Sequence, residues 1–264
     1  MNKTDCIGIF DSGLGGLTVM NAIRQVLPHE NILYFGDTAR IPYGTKSGET
    51  ILRYSIENAS FLISQGIKVL VVACHTACSV ALEELQKMFS IPILGVIQPS
   101  IEKVVQTSPQ GKIGILGTRA TVSSGTYQQQ LQTLMPSAEI TAIACPLFVP
   151  LVEEGYADHS LTELAIQEHL RPLKAKQIDT LLLGCTHYPL LASYIRKELG
   201  PSVNLIDPGL NCAEALKELL AKQDLLNPSL SLPHYQFFVS DDPEKFRLLG
   251  KTFLNYPIED IQKT

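Results

Sequence analysis

Val69-Leu70-Val71-Val72-Ala73-Cys74-His75-Thr76 has a counterpart later in the chain, Thr180-Leu181-Leu182-Leu183-Gly184-Cys185-Thr186-His187. Each is an apolar, partly β-branched run closed by a small residue, a cysteine and a Thr/His pair. Such a run reads as a buried parallel strand. The cysteine then falls at the strand's C-terminal end, where open α/β sheets bind ligands. One strand-end cysteine says little. Two in matching settings predict a duplicated fold that offers two thiols to one cleft.

Outward from these peptides, strand and helix alternate. The spacing predicts strands at 5–10, 32–36, 67–73 and 91–97, separated by helices at about 15–27, 48–65 and 76–89. Leu52, Ile56, Ala59 and Ile63 fall on one face of the second helix. The alternation then restarts, with strands at 112–116, 139–144, 178–183 and 202–206 and helices at about 122–134, 160–175 and 189–199. Ser160-x-x-Glu163 reads as a capping box. Ile7-Gly8-Ile9-Phe10 overlays Ile113-Gly114-Ile115-Leu116 at nearly the offset that relates Cys74 to Cys185.

The expected architecture is therefore α/β: two similar domains with mostly parallel sheets flanked by helices, related by a pseudo-twofold axis, with the active site in the cleft between them. Beyond residue 207, Asp207-Pro208 opens another helix, Tyr235–Val239 reads as a strand, and Asp242-Pro243 opens a last helix. This tail exceeds what the second half needs and is expected to return to the first. The expected domains are 1–98 plus 208–264, and 99–207.

Bulk properties narrow the function. The chain has 264 residues, 45% apolar and 18% charged, a globular balance. A net charge of −5 without a basic tract argues against nucleic acid as a partner. There is no apolar run long enough to span a bilayer, and the start does not read as a secretory signal, so no membrane partner and a cytoplasmic location are expected. Cys6, Cys74, Cys78, Cys145, Cys185 and Cys212 are too scattered for a disulfide framework.

Asp11-Ser12-Gly13-Leu14-Gly15-Gly16 follows the first strand and suits a small anionic ligand at a helix start. Its glycine spacing does not fit the dinucleotide fingerprint, and no phosphate-loop lysine follows. Gly36-Asp37-Thr38-Ala39-Arg40-Ile41-Pro42-Tyr43-Gly44 is a loop whose N–H groups at Tyr43 and Gly44 suit a carboxylate. A thiol titrates near neutrality and serves as acid or base, and a helix N-terminus at the cysteine favours the thiolate. His75 and His187 stand beside the two cysteines, and Glu153 or Glu154 is placed to orient His187. Cys74, Cys78, Cys185 and His187 also form a sufficient ligand set for zinc, the competing reading.

The motifs together resemble the bacterial glutamate racemases of the aspartate/glutamate racemase superfamily. The likeness rests on Ile9 to Val19, Tyr34 to Gly44, Pro146 to Gly155, Leu183 to Leu190 and the Asp241-Asp242-Pro243 junction, in that order. It implies interconversion of L- and D-glutamate without a cofactor, supplying D-glutamate for peptidoglycan. It implies Cys74 and Cys185 as acid/base residues on opposite faces of the substrate, Asp11 near the first, and Glu153 with His187 near the second. Substrate contacts are implied from Asp11, Ser12, Tyr43, Gly44, residue 75, Thr76, Thr118, Thr121, Thr186 and His187. No metal is implied, and a homodimer is left open. The departure is His75: the family has Cys-Asn-Thr-Ala-Ser where this chain has Cys74-His75-Thr76-Ala77-Cys78. That substitution keeps two alternatives open, an aspartate or other amino-acid racemase, and an impaired racemase-like binding protein.

Overall fold

The computed structural model describes residues 2–264. Its strands are β1 (Ile7–Asp11), β2 (Ile32–Gly36), β3 (Val69–Val72), β4 (Ile93–Gly95), β5 (Lys112–Gly117), β6 (Glu139–Ala144), β7 (Thr180–Gly184), β8 (Asn204–Ile206), β9 (Tyr235–Val239) and β10 (Ile261–Lys263). The helices are α1 (Leu17–Val26), α2 (Gly48–Ser64), α3 (His75–Met88), α4 (Ile97–Thr107), α5 (Arg119–Ser124), α6 (Thr126–Leu134), α7 (Phe148–Glu153), α8 (Ser160–Ala175), α9 (Ala192–Leu199), α10 (Pro208–Lys222) and α11 (Pro243–Leu254).

The strands form two parallel sheets, one in the order β10-β9-β2-β1-β3-β4 and one in the order β6-β5-β7-β8. Within the first, β2-β1-β3-β4 repeats the order of the second. Phe10 pairs with Val72 as Leu116 pairs with Leu183. The repeat brings the ends of β3 and β7 to equivalent places, each beside the central strand of its sheet. Helices on both faces explain the unbroken apolar runs: Val69 to Val72 are fully buried, as are Thr180 to Leu182. β9 and β10 extend the first sheet alone, with β9 paired to β2.

Several expected elements differ. The strand read at 91–97 stops at Gly95, and α4 begins at Ile97 with Pro99 in its first turn, where proline costs the helix no hydrogen bond. Ser160 is not the cap of α8. His159 is, its Nδ1 accepting from the Leu161 N–H at 3.1 Å. Among the described residues no helix is long and apolar enough to cross a membrane.

Candidate active site

Cys74 stands two residues past β3 and caps α3, its Sγ accepting from the Ala77 N–H at 3.5 Å. Its own S–H donates to the Ser12 hydroxyl at 3.7 Å. The helix start alone favours a thiolate, but burial opposes it more strongly, and the nearby Asp11 carboxylate adds to that. Together they push the thiol up to about 12.

Cys185 follows β7 and sits against a different set of charges. Its Sγ lies 3.9 Å from His187 Nδ1, and His187 Nε2 lies 2.9 Å from Glu153 Oε1. Glu153 is the last residue of α7, a helix too short to show a period in sequence. Burial would lower the His187 pKa, but its hydrogen-bonded neighbours Cys185 and Glu153 outweigh it and raise the ring to about 10. His187 is thus an imidazolium at neutral pH, and its ring packs edge-on against Phe253 of α11, 5.3 Å between centroids.

Both thiols line one tight cleft. Ser12, Tyr43, Gly44, His75, Thr76, Thr118, Glu153, Thr186 and His187 line it as well. Asp11 and Thr121 do not. Asp11 lies fully buried beneath the cleft, its Oδ2 accepting from the Gly13 N–H at 2.9 Å and its Oδ1 from the Thr186 hydroxyl at 3.4 Å. Burial raises its pKa, against the pull of His187. Thr121 stands behind Thr76 and Thr118, the three hydroxyls lying 2.9 to 3.2 Å apart. Ile41, Pro42 and Val149 complete the wall. Sequence reasoning did not single these out, because apolar lining residues carry no chemical signal.

The two halves meet closely at the site. A Cβ on Gly15 would lie 2.2 Å from Thr186 Oγ1 and 2.5 Å from the His187 ring. Thr18 donates its hydroxyl to the Thr186 carbonyl at 2.9 Å. A larger, mostly apolar cavity of about 200 Å³ adjoins the cleft, sharing Gly44, Thr118 and Glu153 with it and reaching Arg119 outside. Cys78 does not join the cleft. It packs inward near Gly95, and burial pushes it up to about 12. Among the described residues no group of three or more His, Cys, Asp or Glu side chains is arranged to hold a metal ion, so the ligand set of the zinc reading does not assemble.

His75 is fully enclosed, and neither ring nitrogen has a hydrogen-bond partner. Burial pushes it down to about 3, so it is neutral at any working pH. It lies beside Tyr127 of α6, 6.3 Å between centroids.

Comparison with known proteins agrees with this geometry. Residues 8–216 match the Asp/Glu/Hydantoin racemase family. The chain is 46% identical to the glutamate racemase of Geobacter metallireducens, over 97% of this chain and 94% of the relative. A crystal structure of the Francisella tularensis glutamate racemase in complex with D-glutamate superposes with a TM-score of 0.94 at 39% identity, covering 99% of this chain and 98% of that one. A glutamate racemase from Bacillus anthracis gives 0.96 at 38% identity, covering 100% and 98%. Two parallel sheets in the same order, two strand-end thiols in one cleft and this degree of likeness place the chain in the Asp/Glu/Hydantoin racemase family, among its glutamate racemases.

Proposed function

We propose that this enzyme interconverts L- and D-glutamate by a two-thiol mechanism, with Cys74 and Cys185 as the acid/base pair. The observation that carries the assignment is that the two thiols reach one cleft from different sheets. Racemisation removes the Cα proton and returns one to the opposite face. Two bases on opposite walls do this without turning the substrate over.

The charges beside the thiols supply a starting state. Cys74, enclosed near the Asp11 carboxylate, begins as the protonated acid. Cys185, its Sγ 3.9 Å from His187 Nδ1, takes the part of the base in this direction. The Cys185 thiolate takes the Cα proton while the Cys74 thiol delivers its own to the other face. The turnover leaves Cys74 as thiolate and Cys185 as thiol, the state from which the reverse direction runs. Charge developing on the α-carboxylate is stabilised by preorganised donors, the hydroxyls of Ser12 and Thr76. Closure of the halves around the substrate fixes its orientation and excludes water.

The sheets support a division into 1–98 plus 208–264 and 99–207. The product, D-glutamate, would serve peptidoglycan synthesis in the cytoplasm. The test is interconversion of L- and D-glutamate followed by circular dichroism, beside L-aspartate. Absence of glutamate turnover in folded protein refutes the assignment, and faster turnover of aspartate moves it to another amino-acid racemase.

A further inference from the structure

Asp37 follows β2 and its carboxylate is fully buried, yet it does not line the cleft. It accepts from Arg40 Nε, 2.8 and 2.7 Å to its two oxygens, and from the Ser240 hydroxyl at 2.9 Å. It also accepts from the Tyr43 phenol. The Tyr43 oxygen in turn accepts from Asn58 Nδ2 at 3.0 Å, and Asn58 Oδ1 accepts from Arg40 Nη2 at 3.0 Å. Arg40, Asp37, Tyr43 and Asn58 therefore close a ring of hydrogen bonds in which each side chain holds two others. Ser240 joins it from the returning tail, just past β9. A second bond, from the Ala39 N–H to Ser240 Oγ at 2.9 Å, ties the loop itself to the tail.

Within the ring the Tyr43 hydroxyl has its donor and one acceptor position committed. Burial and the Asp37 carboxylate both raise its pKa, so it remains a donor. What Tyr43 offers the cleft is then its backbone. Among the described residues no acceptor pairs with the N–H groups of Tyr43 and Gly44, which open a 3-10 turn (Tyr43–Thr45). Gly44 lies so close to Thr118 of the other half that a Cβ would sit 2.7 Å from Thr118 Cβ. Gly44 and Thr118 line both the cleft and the outer cavity, whereas neither Cys74 nor Cys185 reaches the outer cavity. Gly44 therefore stands on the side of the cleft that adjoins the outer cavity, against Thr118.

We propose that Asp37 is a positioning residue for substrate binding: with Arg40, Asn58 and Ser240 it fixes Tyr43 so that the N–H groups of Tyr43 and Gly44 hold the substrate's side-chain carboxylate. This rests on the racemase reading above. A hydrogen-bonded ring fixes the loop before the substrate arrives, so binding does not have to order it. It also gives the tail, remote in sequence, a part in substrate recognition. A contact to the remote carboxylate is equal in ground and transition states, so its loss appears in KM rather than kcat.

The test is steady-state kinetics in both directions on Asp37→Asn, Arg40→Lys and Ser240→Ala, with thermal unfolding measured in parallel. For Asp37→Asn the expected result is a KM raised about tenfold or more for both enantiomers, with kcat within about threefold of the parent. Ser240→Ala, which removes one bond to the carboxylate, should raise KM by about two- to fivefold. A folded Asp37→Asn with unchanged KM and only a lower melting temperature makes the ring a plain structural brace and overturns the proposal. A fall in kcat at unchanged KM overturns it too. If Asp37→Asn does not fold, Ser240→Ala and Tyr43→Phe decide, and parental KM in both is refutation. Parent enzyme assayed alongside separates the two readings, because its failure to turn over glutamate refutes the racemase assignment itself.

Discussion

Replacing Glu153 by Gln keeps the shape of the side chain and removes its charge from His187 Nε2, 2.9 Å away. In the intact protein the ring rises from 6.5 to about 10, with burial opposing and the neighbours Cys185 and Glu153 prevailing. At 1.36 kcal/mol per pH unit that rise corresponds to about 5 kcal/mol favouring the protonated ring in the folded state. The folded pKa lies above the unfolded one, so this stabilisation is complete below pH 6.5 and is lost as pH rises through about 10. An opposite charge at this range accounts for about 1–3 pH units. Glu153→Gln should therefore cost about 1.4–4 kcal/mol at pH 7. That cost should vanish above the folded pKa. Because the cation stands beside Cys185, the alkaline limb of kcat/KM should move down by about 1–3 pH units as well. Urea unfolding of parent and variant from pH 6 to pH 11, with circular-dichroism rates over the same range, reads both effects. Equal stabilities at pH 7, or a deficit that persists unchanged at pH 11, would refute the claim that Glu153 acts by holding His187 charged.

Cys74→Ser and Cys185→Ser should each lose racemisation by at least about 10²–10⁴-fold, since each removes one proton-transfer group. Each variant should still exchange the Cα proton of one enantiomer with deuterated solvent, the two variants choosing opposite enantiomers; exchange of both enantiomers by either variant contradicts the two-wall arrangement. His75→Asn replaces an imidazole whose two nitrogens are unpartnered, a burial that costs about 1–3 kcal/mol per group. Glutamate turnover and unfolding free energy should both hold or rise, and a collapse of kcat at parental stability would show that the imidazole takes part in the reaction. Lys68 donates to Glu30 at 2.5 Å and to the carbonyls of Lys3 and Leu225, all beneath the first sheet. Lys68→Met leaves Glu30 unpaired and should cost about 3–5 kcal/mol, with partial recovery in Lys68→Met/Glu30→Gln; a loss under about 1 kcal/mol refutes the pairing argument.

The sequence made the fold legible because buried parallel strands are written as unbroken apolar runs. β3 and β7 announce themselves, and the cysteines that follow mark the ligand-binding edge. Short elements were not legible. α5 and α7 have six residues each and β10 has three, too few to establish a period. The residues alone left Glu153 and Glu154 both open as the partner of His187, and the resemblance chose Glu153, because the contact spans thirty-four positions. The Asp37 ring was hidden for the same reason: Ser240 reaches it from across 203 positions. The helix start that favours a Cys74 thiolate is visible in sequence, whereas the burial and the Asp11 carboxylate that oppose it are not.

A duplicated scaffold carries a difficulty for this chemistry. If both strand ends were electrostatically alike, both thiols would favour the same protonation state, and a two-base racemase needs one acid and one base at once. The repeated strand order places the thiols symmetrically, and the surroundings break that symmetry. On one side burial and the Asp11 carboxylate favour a protonated Cys74. On the other, α7 and the tail helix α11 bring Glu153 and Phe253 to His187, which sets a cation beside Cys185. The hydrogen bond from Thr186 to Asp11 and the pull of His187 on the same carboxylate couple the two sides. In the proposed reaction each turnover puts one proton on Cys185 and takes one from Cys74, so the acid and base roles exchange together by stoichiometry.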